Sequence, residues 1–182
     1  MSKTGLRAIG FAFLLAVAAM ADDDPLASLV LDDVNGRPRA FDELRGLPVV
    51  LVIADRRASQ EAIDWGTRFA SEGFNLAPES ATGRIACLSI ADLRRVPSYA
   101  RDEARDRLRE QEAGRVETAP RKCSPPLLDW QGRLAEVYSG TRGEALVVLL
   151  SPGHQPVHRV RGPPTDAAVL RLLAELESVT PR

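Results

Sequence analysis

PVVLVIADRRASQEAIDW, residues 48–65, combines a strand pattern with a helix pattern. It opens with a continuous run of aliphatic, mostly β-branched residues, which is typical of a strand covered on both faces. The charged turn Asp55–Arg57 ends that run. Ser59 then suits the N-cap of a helix whose apolar side chains, Trp65 and Phe69 among them, recur at helical spacing. A buried strand that leads directly into a helix predicts an α/β protein.

The flanking sequence continues this alternation. Asn35-Gly36 predicts a β-hairpin before the opening stretch. Two more buried strands are predicted over 84–90 and 145–151, with a highly charged helix over 98–113 between them. Thr165 suits the N-cap of a last helix. The resulting order is hairpin, β, α, β, α, short β, β, β, α, and it predicts parallel strands joined by right-handed crossovers, followed by an antiparallel hairpin.

The beginning of the chain has the pattern of a secretory signal peptide. A basic start precedes an apolar run, Ile9–Met20, and a small-x-small cleavage site ends at Ala21. The alternative, an uncleaved membrane anchor, is disfavoured because a bilayer span needs about 20 apolar residues. We predict a signal peptide over 1–21 and a single domain over 22–182, periplasmic or secreted and free of the membrane after cleavage.

Charge and motifs exclude several classes of function. The net charge is −1, and it falls to −3 without the signal peptide, so nothing favours binding to nucleic acid. The sequence has no dinucleotide-binding, P-loop or zinc-protease motif. Two histidines, His154 and His158, are too few for a metal site. We therefore predict no cofactor, no metal and no nucleic-acid partner.

Four segments resemble the thioredoxin-like superfamily, in particular its redoxin branch and the periplasmic YtfJ-type proteins. LDDVNGRPRAFDELRGLPVVLVIA (31–54) is similar to the opening hairpin and first core strand. IADLRRVPSYARDEARDRLRE (90–110) resembles the second helix of the YtfJ-type group, and LLDWQGRLAEVYSG (127–140) resembles the redoxin insertion. LLSPGHQPVHRVRGPPTDAAVLRLLAEL (149–176) is similar to the closing hairpin and helix. The resemblance implies a three-layer thioredoxin-like α/β fold, with a mixed central sheet, an N-terminal β-hairpin and helices on both faces.

The resemblance also implies where catalytic cysteines would lie. Active members carry C-x-x-C or a single peroxidatic cysteine after the first core strand, at positions that match Ala58 and Glu61 here. Their cis-proline matches Ala145. A helix N-terminus favours the thiolate there, but the turn in this chain contains no sulfur. We therefore predict a thioredoxin-like domain without the active-site cysteines, with no catalytic residue, that binds an unknown protein or a small anion.

Arg56, Arg57 and Ser59 are the candidate anion-binding residues. They lie at the predicted helix start, where unpaired N–H groups and guanidinium groups together suit a carboxylate, phosphate or sulfate. The alternative is two exposed arginines beside a capped helix.

Cys87 and Cys123 are the candidate redox residues. Cys87 lies inside a predicted strand, whereas Cys123 lies in a polar loop after Arg121 and Lys122, whose charges favour a thiolate. Two cysteines do not define a disulfide framework, and these two are predicted at different heights on neighbouring strands. We expect a buried Cys87 and an exposed Cys123 rather than a disulfide. The alternative function is a thiol–disulfide or peroxide-linked oxidoreductase that uses Cys123, with or without Cys87.

Overall fold

The computed structural model describes residues 26–72, 76–77, 85–116 and 123–180. The predicted signal peptide lies outside these residues. The elements, in chain order, are β1 (Val30–Asp33), β2 (Pro38–Ala40), a 3-10 turn (Phe41–Leu44), β3 (Val49–Ala54), α1 (Ser59–Ser71), β4 (Leu76–Ala77), β5 (Ile85–Asp92), a second 3-10 turn (Ser98–Ala100), α2 (Arg101–Val116), β6 (Leu127–Asp129), α3 (Arg133–Val137), β7 (Leu146–Leu150), β8 (Pro156–Arg161) and α4 (Asp166–Val179).

These strands form one mixed sheet in the order β2-β1-β6-β5-β3-β7-β8, with the two-residue β4 beside β5. β3 is parallel to β5, and β5 is parallel to β6. β7 is antiparallel to both β3 and β8, and β1 is antiparallel to both β2 and β6. The predicted hairpin, parallel crossovers and closing antiparallel hairpin are confirmed.

The sheet separates two apolar clusters because successive side chains of a strand point to opposite faces. On one face, Val50 and Val52 of β3 pack with Trp65 and Phe69 of α1 and with the buried side of α4. On the other face, the neighbouring β3 residues pack with the first 3-10 turn, α3 and the segment before β1. Helices therefore cover both faces of the sheet, as the three-layer prediction requires.

Two predicted helix starts have different outcomes. The Oγ1 atom of Thr165 accepts a hydrogen bond from the N–H of Ala168, which confirms it as the N-cap of α4. The prediction for Ser59 is wrong, because Ser59 is the first residue of α1 and its side chain does not cap the helix. The charged helix also begins and ends three residues later than predicted, at Arg101 and Val116.

Within the described ranges, none of the helices has the length and apolarity needed to cross a bilayer.

Candidate functional site

Cys87 and Cys123 are joined by a disulfide bond, with their Cα atoms 4.4 Å apart. Our expectation of two separate thiols is therefore wrong. The error lies in the height along the sheet that was assigned to Cys123 relative to Cys87. The chain before β6 already runs beside β5, since the N–H of Ser124 donates to the carbonyl oxygen of Cys87 at 2.8 Å. Cys123 consequently lies level with Cys87.

The two cysteines of this bond are buried to different degrees. Cys87 is 0% exposed and belongs to the apolar cluster on the α1 and α4 face of the sheet. Cys123 packs against the same cluster but is partly exposed. A thiol from another molecule would therefore meet Cys123 first.

The disulfide lies away from the start of α1. Cys87 pairs with Val50, which is four residues before the end of β3 at Ala54. At about 3.3 Å per strand residue, this places it about 13 Å below the edge of the sheet where α1 begins. The disulfide thus lies at the central strand, β5, on the face of the sheet that α1 covers.

Asp55 holds the turn between β3 and α1. Its Oδ1 atom accepts hydrogen bonds from the N–H groups of Arg57 at 2.8 Å and Ala58 at 3.1 Å, the two residues before α1. Its Oδ2 atom accepts from the N–H of Gly143 at 3.2 Å, in the loop before β7. An aspartate side chain that accepts the N–H groups two and three residues later is a common turn motif.

A second carboxylate joins the same loop to α1. The Oε2 atom of Glu61 accepts from the N–H of Ala145 at 2.8 Å. Glu61 and Ala145 are the positions that the resemblance matches to the second cysteine and the cis-proline of active members. The fold therefore brings these positions into contact, with an ion-to-amide hydrogen bond between them.

Arg56, Arg57 and Ser59 all lie at this turn and are all exposed. The Ser59 hydroxyl donates to the carbonyl oxygen of Arg56 at 3.0 Å. Because Asp55 already binds the N–H groups of Arg57 and Ala58, an anion here would rely on the guanidinium groups and the remaining amides of the first turn. The anion site stays a prediction.

The two histidines lie at the other end of β7. His154 is buried in the turn between β7 and β8, and His158 is a partly buried residue of β8. Among the residues that the structure describes, no three or more histidine, cysteine or acidic side chains are grouped so that they could hold a metal ion.

No protein-family model matches the chain, and no curated protein matches it. Solved structures, by contrast, are similar to the chain. The exposed lipoprotein thioredoxin Etrx1 of Streptococcus pneumoniae has 18% identity and a TM-score of 0.54, covering 81% of this chain and 98% of its own. A putative thiol:disulfide interchange protein DsbE of Chlorobium tepidum has 14% identity and a TM-score of 0.52, covering 81% and 92%. Peroxiredoxin Q of Xanthomonas campestris has 16% identity and a TM-score of 0.56, covering 85% and 94%.

These likenesses, together with the sheet order, show that the chain has a thioredoxin-like fold. They cover 92% to 98% of the length of these solved proteins. At such low identity they show the fold alone.

Proposed function

We propose that this protein is a thiol–disulfide exchange protein of thioredoxin-like fold whose redox centre is the Cys87–Cys123 disulfide. One observation carries the proposal, namely that Cys123, a partly exposed residue, is bonded through sulfur to the fully buried Cys87. Such a pair has one accessible atom for an incoming thiolate and one sheltered leaving group. The names of the solved proteins of the same fold, a thioredoxin, a thiol:disulfide interchange protein and a peroxiredoxin, support thiol chemistry as the class of reaction.

The exchange balances with a dithiol as the reaction partner. A thiolate of the dithiol attacks Sγ of Cys123, so that a mixed disulfide forms and the Cys87–Cys123 bond breaks. Cys87 leaves as a thiolate and takes up a proton. The second thiol of the partner then attacks its own sulfur in the mixed disulfide and releases Cys123. The partner loses two electrons and becomes a disulfide, while the protein gains them as a dithiol.

The reaction is tested by dithiothreitol-driven reduction of insulin disulfides, followed by turbidity. We expect the protein to accelerate precipitation, and Cys123→Ser to abolish that acceleration because the accessible sulfur is gone. Cys87→Ala keeps the accessible sulfur but has no internal thiol to release the partner. When this variant is incubated with oxidised glutathione, its Cys123 thiolate displaces one glutathione thiolate, and the mixed disulfide should accumulate, detected by mass spectrometry of the intact protein.

Circular dichroism of each variant is the control for folding. Two results would contradict the proposal. One is a native protein that gives no acceleration, and the other is a mixed disulfide that forms equally well on Cys87 in the Cys123→Ser variant.

A second function is a binding domain in which the disulfide only stabilises the fold. The position of Cys87, level with Val50 and inside an apolar cluster, favours this alternative. A buried leaving group makes the bond hard to open unless the structure loosens. Reduction of the disulfide by dithiothreitol, measured with and without urea, distinguishes the two functions. A purely structural disulfide resists dithiothreitol until the protein unfolds in urea, whereas a redox-active one is reduced in the folded protein.

We also propose that the protein is exported, on the pattern of residues 1–21 and because one solved protein of this fold is an exposed lipoprotein. An oxidising compartment suits a protein that contains a disulfide. Expression of the full chain in a bacterium with a periplasm should give a mature protein that begins at Asp22, as read by N-terminal sequencing. A protein that keeps Met1 and stays in the cytosol would contradict the assignment.

A further inference from the structure

Ser124 binds the segment that carries Cys123 to the strand that carries Cys87. The N–H of Ser124 donates to the carbonyl oxygen of Cys87 at 2.8 Å. Its hydroxyl accepts from the N–H of Ser89 at 3.3 Å and donates to the carbonyl oxygen of Pro125 at 2.9 Å. The hydroxyl is thus used once as donor and once as acceptor. Ser124 is only 5% exposed, so water competes little for these bonds.

Ser124 contacts β5 before the regular pairing of β6 begins at Leu127, opposite Ile90. Between the disulfide and that point lie Pro125 and Pro126, which have no N–H to donate to a β5 carbonyl. Ser124 therefore supplies both a donor to β5, its N–H, and an acceptor, its hydroxyl oxygen, just ahead of two residues that lack an N–H.

None of these hydrogen bonds involves sulfur, so they persist when the disulfide is reduced. In the reduced protein they keep the Cys123 thiol beside the Cys87 thiol. Two thiols that are held close enough to bond have a high effective concentration relative to each other. This speeds formation of the Cys87–Cys123 disulfide and makes that disulfide harder to reduce. Without the hydroxyl, the reduced segment gains freedom, whereas the oxidised segment is still tied by the covalent bond.

We infer that Ser124 is a positioning residue, which holds Cys123 for ring closure onto Cys87 and so sets the reduction potential of the pair. The inference deepens the proposed function and rests on it for its biological use. It does not depend on any particular dithiol partner.

The test is the equilibrium of each purified protein with reduced and oxidised glutathione, measured as the fraction of oxidised protein after acid quenching. We expect Ser124→Ala to lower the equilibrium constant for disulfide formation about fivefold, the factor that corresponds to one lost hydrogen bond. Ser124→Thr keeps a hydroxyl and should lie near the original protein. The matched control is Ser151→Ala, since the Ser151 hydroxyl also accepts a backbone N–H, that of Gln155, but in the turn after β7, a strand that β3 separates from β5.

The outcomes separate this inference from the proposed function. An unchanged glutathione equilibrium in Ser124→Ala overturns the inference, even if the variant is less stable and the native protein still reduces insulin. A fivefold shift in a protein that does not reduce insulin supports the inference and overturns the proposed function. If Ser124→Ala does not fold, Ser124→Val replaces it, because valine matches threonine in shape and lacks only the hydroxyl. A disulfide that glutathione does not open in any variant also overturns the inference.

Discussion

At the scale of single residues, the turn after β3 is built around one carboxylate. Asp55 accepts the N–H groups of Arg57 and Ala58, just before α1, and also that of Gly143, 88 positions later in the chain. It therefore joins the turn before α1 to the loop before β7. Hydrogen bonds to a charged acceptor are stronger than neutral ones, so this side chain contributes more than a neutral turn residue would.

Replacing Asp55 with alanine tests this role. We expect Asp55→Ala to lower the free energy of unfolding by about 1–3 kcal/mol, because the N–H groups of Arg57 and Gly143 lose their acceptor and that of Ala58 keeps only the Asp55 carbonyl oxygen. Asp55→Asn keeps one acceptor oxygen and should lose less. Urea unfolding of the oxidised protein, followed by circular dichroism, gives the values.

The control is Glu177→Ala, which removes an exposed acid from α4 and should change stability by less than about 0.5 kcal/mol. Equal effects of Asp55→Ala and Glu177→Ala would show that the turn does not depend on the Asp55 carboxylate.

At the scale of elements, α1 is attached to the sheet by its buried face. Trp65 is 0% exposed and its ring lies 5.5 Å from that of Phe69. Its Nε1–H donates to the carbonyl oxygen of Gly162 at 2.9 Å, just after β8. One side chain thus joins the first crossover helix to the far edge of the sheet, through both packing and a directed polar contact.

Trp65→Phe should therefore destabilise the protein by about 2–3 kcal/mol, since it removes buried volume and leaves the Gly162 carbonyl without its donor. The comparison is Trp130→Phe. Trp130 is partly exposed, and the guanidinium groups of Arg101 and Arg105 lie 5.3 and 5.9 Å from its ring. Trp130→Phe should therefore lower the free energy of unfolding by less than about 1 kcal/mol.

Each variant keeps one tryptophan, so urea unfolding can be followed by fluorescence in both. A loss in Trp130→Phe as large as that in Trp65→Phe would contradict the assignment of α1 docking to Trp65.

At the scale of the whole molecule, the disulfide joins the third residue of β5 to the chain just before β6. The two cysteines are 36 positions apart, and the closed loop contains all of α2. α2 is highly charged, and none of its residues from 101 to 114 belongs to either apolar cluster. The covalent bond and the β5–β6 pairing therefore restrain the chain on both sides of a helix that contributes nothing to the apolar clusters over those residues.

Reduction should lower the stability of the fold. Closing a loop of this length restricts the unfolded chain by about 4 kcal/mol in the chain-entropy model. We expect a loss of that order in the free energy of unfolding when dithiothreitol is added to the native protein. The double variant Cys87→Ala/Cys123→Ala should lose a similar amount and show no further effect of reductant. A native protein whose urea midpoint is the same with and without reductant would contradict a stabilising disulfide.

The local pattern of the sequence determined the elements and their order. The β-branched run of β3, the apolar spacing of Trp65 and Phe69 and the Thr165 cap are short-range signals, and each predicted its element because backbone sterics and periodic burial act over a few residues. The mixed sheet followed from those elements, since few topologies satisfy right-handed crossovers. The signal peptide and the anion site remain predictions.

Only the tertiary structure decided the site. The Cys87–Cys123 bond depends on how far the chain before β6 extends along β5, a register that two prolines and a serine side chain set and that no periodicity reveals. The contacts of Asp55 and Glu61 with the loop before β7 likewise join positions more than 80 residues apart. Such contacts arise from the packing of whole elements, because a sulfur or a carboxylate finds its partner by distance in space and not by separation along the chain.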